Sequence, residues 1–354
     1  MTSLSVQFLA ICLSAAVLSA AAQESASLAP QDQTNGSSTL AATDLVRNTC
    51  RPSVVQLIDD RGRTAQLGVV VSEDGYVLTK ASELPPDDDL MLAWSDGTQS
   101  VATVVLVDRS IDLVLLKAER DDTVPVQWLV GGKSSQGEWM LAFTRSGDKA
   151  LSLRMGNLSA NRRPIQGRGA ALGIEMSEEV EDRGVRIMDV GNDSPAEIAG
   201  IQTNDLLVAV DDEPVLGISS VEQTISRCQP GQQVKLRIRR GHNERECSVR
   251  LASRTKVVSN WEGEDYANGG VSLRTDNFPE VLQHQIPLGP HDMGGPMINL
   301  DGKVVGINIA RVDRVTTFAL PVEVFLSKVQ QWIVSDRQAE AAAGVVEIRP
   351  AVPK

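Results

Sequence analysis

From Val54 onward the chain alternates short apolar runs with polar turns. Val54–Ile58, Ala65–Ser72, Tyr76–Thr79, Leu90–Trp94, Ser100–Val107 and Leu113–Lys117 are rich in Val and Leu. Between them stand Asp59-Asp60-Arg61-Gly62, Glu73-Asp74-Gly75 and Ser95-Asp96-Gly97. Gly-containing acidic turns between such runs predict strands joined by tight connections. Several short strands in succession predict a barrel or a sandwich. The pattern continues through Trp139–Thr144 and Leu151–Ser159 and is expected to break at a polar, basic joint from Asn161 to Gly169, which contains Pro164.

Residues 170–254 have a different texture. Strands are predicted at Ala171–Met176, Val185–Val190, Leu206–Val210, Val234–Arg239 and Glu246–Leu251, with short helices at Pro195–Ala199 and Val221–Cys228. Ser220 is the expected N-cap of the second helix, and Pro230-Gly231 stops it. A polar connector, Thr255 to Asn268, leads to a second barrel-like stretch from Val271 to about Trp332. The tail from Ser335 lacks apolar periodicity and is expected to be flexible. The expected units are therefore 1–22, 23–49 as a flexible linker, 50–165, 166–256, 257–334 and 335–354 as a flexible tail.

At about 150 residues per domain, 354 residues suggest two or three domains. With 34 basic against 46 acidic side chains, the formal charge of −12 repels nucleic acid and anionic lipid. Lys235, Arg237, Arg239 and Arg240 alternate with Leu236 and Ile238, so they read first as the wet face of a strand. The three histidines, His242, His284 and His291, come with no paired cysteine motif, so neither a metal site nor a cofactor site is expected.

Residues 1–22 carry no charged side chain, and Phe8–Leu13 lead to Ala20-Ala21-Ala22, the form of a secretory signal cleaved near Ala22, though without a basic n-region. No later segment reads as a membrane span. Export would leave Cys50, Cys228 and Cys247 in an oxidising compartment. For Cys228 and Cys247 a disulfide and two free thiols are both compatible with the sequence, and Cys50 has no evident mate.

Three stretches resemble the HtrA/DegP group of chymotrypsin-fold serine proteases. Gly68-Val-Val-Val-Ser-Glu-Asp-Gly-Tyr-Val-Leu-Thr79 resembles the segment that leads into that family's catalytic histidine. Asp108-Arg-Ser-Ile-Asp-Leu-Val-Leu-Leu-Lys117 is similar to the one that carries its aspartate. Leu282-Gln-His-Gln-Ile-Pro-Leu-Gly-Pro-His-Asp-Met-Gly-Gly-Pro-Met297, followed by Asp301-Gly-Lys-Val-Val-Gly-Ile-Asn308, aligns on its nucleophile segment. The resemblance covers most of 53–165 and 270–330. It places Ser82 at the histidine position, Asp112 at the aspartate position and Met293 at the serine position, with His291 replacing an oxyanion-loop glycine. A serine hydroxyl is no base near neutral pH and a thioether is no acyl-accepting nucleophile, so the triad is degenerate. His284 and His291 flank the nucleophile segment, but Met293 leaves them nothing to activate. Asp112 reads as a buried carboxylate retained for hydrogen bonding.

The middle unit resembles a PDZ domain. Ala171-Leu-Gly-Ile174 is similar to its carboxylate-binding loop, and Ser194-Pro-Ala-Glu-Ile-Ala-Gly-Ile201 with Asn204-Asp-Leu-Leu-Val-Ala-Val-Asp-Asp-Glu-Pro-Val215 to its signature. The resemblance implies a peptide groove between Ala171, Leu172, Gly173, Ile174, Glu175 and Met176 on one side and Val221, Thr224 and Ile225 on the other, with Arg168 either steering a carboxylate or solvated. Taken together, it implies a mainly β fold: a chymotrypsin-like double β-barrel with a PDZ-like α+β domain inserted in the second barrel. The expected function is that of an exported, periplasmic or secreted pseudoprotease that binds protein C-termini or unfolded polypeptide, acting as a scaffold, a holdase or a regulator of an active HtrA-like protease. A homo-oligomer such as the family's trimer is a further expectation. The alternative is an active serine-type endopeptidase in envelope quality control.

Overall fold

Six strands open the β-rich part of the chain: β1 (Val54–Ile58), β2 (Thr64–Val70), β3 (Tyr76–Lys80), β4 (Leu90–Ala93), β5 (Gln99–Asp108) and β6 (Leu113–Ala118). They close into a barrel in the order β1-β2-β3-β6-β5-β4. Closure removes exposed sheet edges and lets β1, β3 and most of β6 be buried on both faces. The computed structural model describes residues 29–58, 62–84, 90–146, 150–181, 184–261 and 270–346. The targeting segment 1–22 and its cleavage point lie outside the described residues.

The second barrel is split along the chain. Its first two strands, β7 (Trp139–Ser146) and β8 (Ala150–Ile165), come before the middle domain. The other four follow it: β17 (Phe278–His284), β18 (Pro296–Ile298), β19 (Val304–Arg311) and β20 (Thr317–Pro321), giving the order β17-β20-β19-β18-β7-β8. Between the halves lie β9 (Ala170–Ala171), β10 (Ile174–Glu181), β11 (Gly184–Val190), β12 (Leu206–Val210), β13 (Glu213–Pro214), β14 (Gln233–Arg240), β15 (Asn243–Arg250) and β16 (Ala252–Ser253). The main sheet runs β10-β11-β12-β14-β15, and β9 pairs separately with β16. A core of Val185, Ile187, Leu207, Val221, Leu236, Ile238 and Val249 holds this domain together. The fold is thus a double β-barrel with an α+β domain inserted in the second barrel.

The joint expected from Asn161 to Gly169 does not interrupt the barrel until after Ile165. β8 pairs with β7 through Asn157 and then with β17, where Arg163 faces Val281 and Ile165 faces Phe278. The polar residues that suggested a break are the strand's exposed side. Arg162 lies 2.9 Å from Glu323, and Arg163 bonds to Gln283.

Both presumed flexible ends contain helix. One compact unit ends at Ala42 and carries a 3-10 turn (Pro30–Asp32) and α1 (Ser37–Ala41). The next unit begins at Thr43 and opens with α2 (Asp44–Cys50). Val46 and Cys50, four apart and so on one helix face, pack beside Val54, Leu141 and Phe143. Residues 335–346 of the expected tail are the second half of α6 (Val322–Val346), and 347–354 lie outside the described residues. Val322, Phe325, Val329 and Ile333 bury the helix's first half in the inter-barrel core. Beyond them, Asp336 accepts a hydrogen bond from the Tyr76 hydroxyl at 2.8 Å, and Arg337 forks onto Asp74 at 2.7 and 2.9 Å. Few apolar residues follow Ile333, which is why periodicity alone missed this helix.

The middle domain contains α3 (Pro195–Ile198), capped by Ser194, and α4 (Ile218–Ser226). Ser220 is not the N-cap. It sits in the first turn of α4, which Gly217 precedes, and its hydroxyl donates to Gly217 O and accepts from Leu216 N–H. The Thr255–Asn268 connector begins as helix α5 (Arg254–Trp261). Cys50, Cys228 and Cys247 are free thiols.

Candidate functional site

The β3 strand delivers Ser82, and the turn before β6 delivers Asp112. The Ser82 N–H donates to Asp112 Oδ1 at 2.7 Å and its hydroxyl to Oδ2 at 2.9 Å. Ser82 and Asp112 are 1% and 2% exposed. Burial pushes the Asp112 carboxyl up, while Lys80, Arg274 and the Ser82 hydrogen bond pull it down. Asp112 also sits at φ 60°, a left-handed conformation that Asp tolerates better than most residues.

Met293 is brought to a different environment. Its side chain is fully buried with Met140, Leu158, Leu282, Ile286 and Met297 in the second barrel. Its N–H, one of the two donors an oxyanion hole would use at this loop, is spent on Pro290 O at 3.2 Å. Gly294 retains φ 84°, and a Cβ there would lie 2.1 Å from Leu67 O, so the turn admits glycine alone.

Neither flanking histidine joins this pair. His284 is fully buried, with Nε2 2.9 Å from Asn308 Oδ1 and Nδ1 accepting from Ile286 N–H at 3.2 Å. Burial holds it down at about 4, so it is neutral at physiological pH. His291 is exposed, with Nδ1 3.0 Å from Ala65 O.

A groove of about 660 Å³ lies in the inserted domain. Ala171, Leu172, Gly173, Ile174, Glu175 and Met176 line one side and Val221 and Ile225 of α4 the other, with Arg168 at the rim. Thr224 does not line it: its hydroxyl turns to Glu213 and Ser220 O, and Glu222 and Ser226 occupy the wall instead. The strand beside the groove, β10, is a sheet edge that, among the described residues, pairs with β11 alone. Leu172 O accepts from Ala196 N–H and Gly173 O from Gly191 N–H, fixing the loop from behind. Gly173 has φ 78°, and a Cβ on it would meet Ser194 Cβ at 2.4 Å.

Residues 66–200 match the model of the trypsin-like peptidase domain, and residues 170–251 that of the PDZ domain. The chain is 20% identical over 298 residues to a probable periplasmic serine endoprotease, DegP-like, of Halomonas elongata, covering 62% of this chain and 61% of the relative. The chain is thus similar to HtrA-like proteases, with a trypsin-like stretch followed by a PDZ domain. A second HtrA-like relative, serine protease HTR4 of Rattus norvegicus, is 32% identical over 114 residues, 31% of this chain and 22% of its own. The chain spans less than two thirds of the length of either relative. A crystal structure of the serine endoprotease from Yersinia pestis overlays 60% of this chain and 97% of its own at 17% identity and a TM-score of 0.30.

Several residues around the HtrA-like triad positions escaped sequence reasoning. Lys80 is wholly buried, with Nζ 3.0 Å from Glu83 Oε1 and 4.0 Å from Asp112 Oδ2. Arg274, also wholly buried, donates to Arg109 O at 2.5 Å and Ser110 O at 3.1 Å, so it clamps the loop that presents Asp112. Gly231 of the PDZ domain covers Ser82: a Cβ there would lie 2.4 Å from Ser82 Cβ. Around it, Arg109 donates to Gly231 O at 3.3 Å, and Arg250 to Leu84 O at 2.5 Å and Ser82 O at 3.4 Å. A lysine at the end of the apolar run Tyr76–Thr79 was the one signal in the sequence; the PDZ contact left none. The groove also has a wall beyond the PDZ domain itself, Arg254, Val257 and Val258 of α5.

Proposed function

We propose that this HtrA-like chain is an exported pseudoprotease that holds polypeptide C-termini in its PDZ groove. The observation that carries the reading is the Ser82–Asp112 pair, closed beneath Gly231, with a thioether at the nucleophile position. Peptide-bond cleavage by this mechanism needs an imidazole to take a proton and a hydroxyl to attack. No imidazole stands at the histidine position and no hydroxyl at the nucleophile position, and Ser82, the hydroxyl at the histidine position, is sealed from substrate.

The groove supports the binding half of the reading. An incoming peptide would add as a strand to the free edge of β10, with its terminal carboxylate at the Leu172–Ile174 loop and its last side chain between Val221, Ile225 and Val257. The apolar lining suits a hydrophobic last residue. Arg168 and Arg254 place positive charge at the same cavity, which suits a carboxylate. The relatives' periplasmic naming supports export of this chain, where its clients would be unfolded or exposed-end proteins. An active HtrA-like protease and further copies of this chain are the partners to test first.

The experiment pairs casein hydrolysis by the purified protein with fluorescence titration of a peptide ending in valine. The expected result is no hydrolysis and saturable binding that requires the free carboxylate. Hydrolysis that disappears in Asp112→Asn would overturn the reading in favour of an active endopeptidase.

A further inference from the structure

A second cavity, of about 450 Å³, opens where the two barrels and the PDZ domain meet. Arg63 and Thr64 come from the entry to β2, Arg145 from β7, Arg250 from the end of β15 and His291 from the turn before Met293, while Glu83 closes the inner side. Among the described residues that line it, the guanidiniums of Arg145 and Arg250 face Glu83 as the sole carboxylate, while Arg63 at the rim has a partner of its own. Glu83 is already committed, since Oε1 accepts from Leu273 N–H at 2.7 Å and lies 3.0 Å from Lys80 Nζ.

The bonds made here by two of the guanidiniums go to backbone carbonyls. Arg145 Nη1 donates to Thr64 O at 3.3 Å, and Arg250 Nη1 to Leu84 O and Ser82 O. A guanidinium has five N–H donors in a planar fork, so each retains donors beyond those bonds. Burial and the neighbouring Arg109 push Arg250 below its usual value, against the pull of Glu83. This excess of positive charge stands in a chain whose formal charge is −12. It is local and concave, bordered by β2, β7 and β15.

We propose that this cleft binds an oxyanion, a carboxylate or phosphate group, held by Arg145 and Arg250 with Arg63 at the rim. Planar forks match such groups in two-point contacts. Two sources share this chemistry: a free small anion, and an Asp or Glu side chain of a captured polypeptide. Because Arg250 belongs to the PDZ domain while Arg63 and Arg145 belong to the barrels, a bound oxyanion bridges all three parts and stabilises their arrangement by mass action.

Calorimetric titration of the full chain at low salt tests the site with two probes. One is inorganic phosphate. The other is acetyl-Glu-Asp-Glu-Asp-amide, whose blocked end keeps it out of the PDZ groove, with acetyl-Gln-Asn-Gln-Asn-amide as its control. The expected result is binding of at least one anionic probe, none of the neutral peptide, and about a tenfold loss in Arg145→Gln, with a further loss in Arg63→Gln/Arg145→Gln. Arg237→Gln, on the exposed PDZ sheet beside Asp212, should bind as the wild type does. Bound phosphate should raise the melting temperature of the wild type more than that of Arg145→Gln. Phosphate binding alone assigns a free anion, and peptide binding alone assigns captured polypeptide. No binding of either probe, or binding unchanged in the arginine variants, overturns the proposal.

Discussion

The Ser82–Asp112 region and the PDZ groove of this HtrA-like chain are built in opposite ways. At Ser82 and Asp112, both oxygens of the carboxylate are satisfied from within, the pair is roofed by Gly231, and Met293 has joined a hydrophobic core. At the groove, an apolar wall faces the free edge of β10 and a glycine-built loop, and about 660 Å³ stays open. One region is closed by packing and internal hydrogen bonds, while the other presents the concavity and strand edge on which the proposed recognition rests. The comparison teaches that a closed, internally satisfied cluster is evidence about folding, whereas an open, asymmetric cavity is evidence about binding.

The largest expected effect comes from trying to rebuild the nucleophile. Met293→Ser removes a fully buried side chain and places a hydroxyl among Met140, Leu282 and Met297, so stability in urea should fall by about 3 kcal/mol. No peptidase activity should appear, and casein cleavage by Ser82→His/Met293→Ser would break the comparison outright.

Next comes acid. His284, held at about 4 against a free value near 6.5, stays neutral in the fold while the unfolded chain takes up a proton. Its depressed value therefore leaves stability undiminished above about pH 6.5 and costs stability as pH falls from there toward 4, up to about 3 kcal/mol. Subtracting the pH profile of His284→Gln isolates this contribution from that of Asp112, whose raised value acts with the opposite sign. Identical profiles for the two proteins would show that His284 is not the buried neutral base described.

A smaller effect is expected at the roof. Gly231 has φ 83°, so Gly231→Ala adds both backbone strain and a clash with Ser82, costing about 2 kcal/mol. Hydrogen exchange at Ser82 and Leu84 should accelerate while the PDZ core stays protected. Unchanged protection at Ser82 would mean that the seal has no energetic role. The smallest effect belongs to the groove: amidating the carboxylate of the bound peptide should weaken binding about tenfold, roughly 1.4 kcal/mol, without altering the protein's own stability. Equal affinity for acid and amide would move recognition away from the Leu172–Ile174 loop.

Much of this architecture was legible because strands announce themselves locally. The runs at Val54–Ile58 and Leu206–Val210 coincide with β1 and β12, and the placing of Ser82 against Asp112 followed from motif order. What escaped depends on distant partners. β8 looked broken at Asn161 because its later partner, β17, lies beyond the inserted domain. The second half of α6 looked unstructured because Asp336 and Arg337 hold it through Tyr76 and Asp74 instead of through an apolar stripe. Thr224 was placed in the groove by the PDZ resemblance, yet a hydroxyl that can bond back to Ser220 O turns along its own helix. The Gly231 roof and the Arg145–Arg250 cleft join segments with no sequence proximity, and only the folded chain brings them together.

The ladder pair Ile165–Phe278 has a consequence for modularity. The polypeptide leaves the second barrel and re-enters it at one rung, so the covalent path of everything between these two residues begins and ends one strand spacing apart, while Gly231, Arg250 and Arg274 tie it to the first barrel as well. A short hairpin could bridge that spacing and close the barrel, and another domain whose termini lie side by side could be grafted into the same opening. The inserted module is thus exchangeable at the level of chain topology, provided the segment that carries Leu273 and Arg274 stays with the barrels it braces.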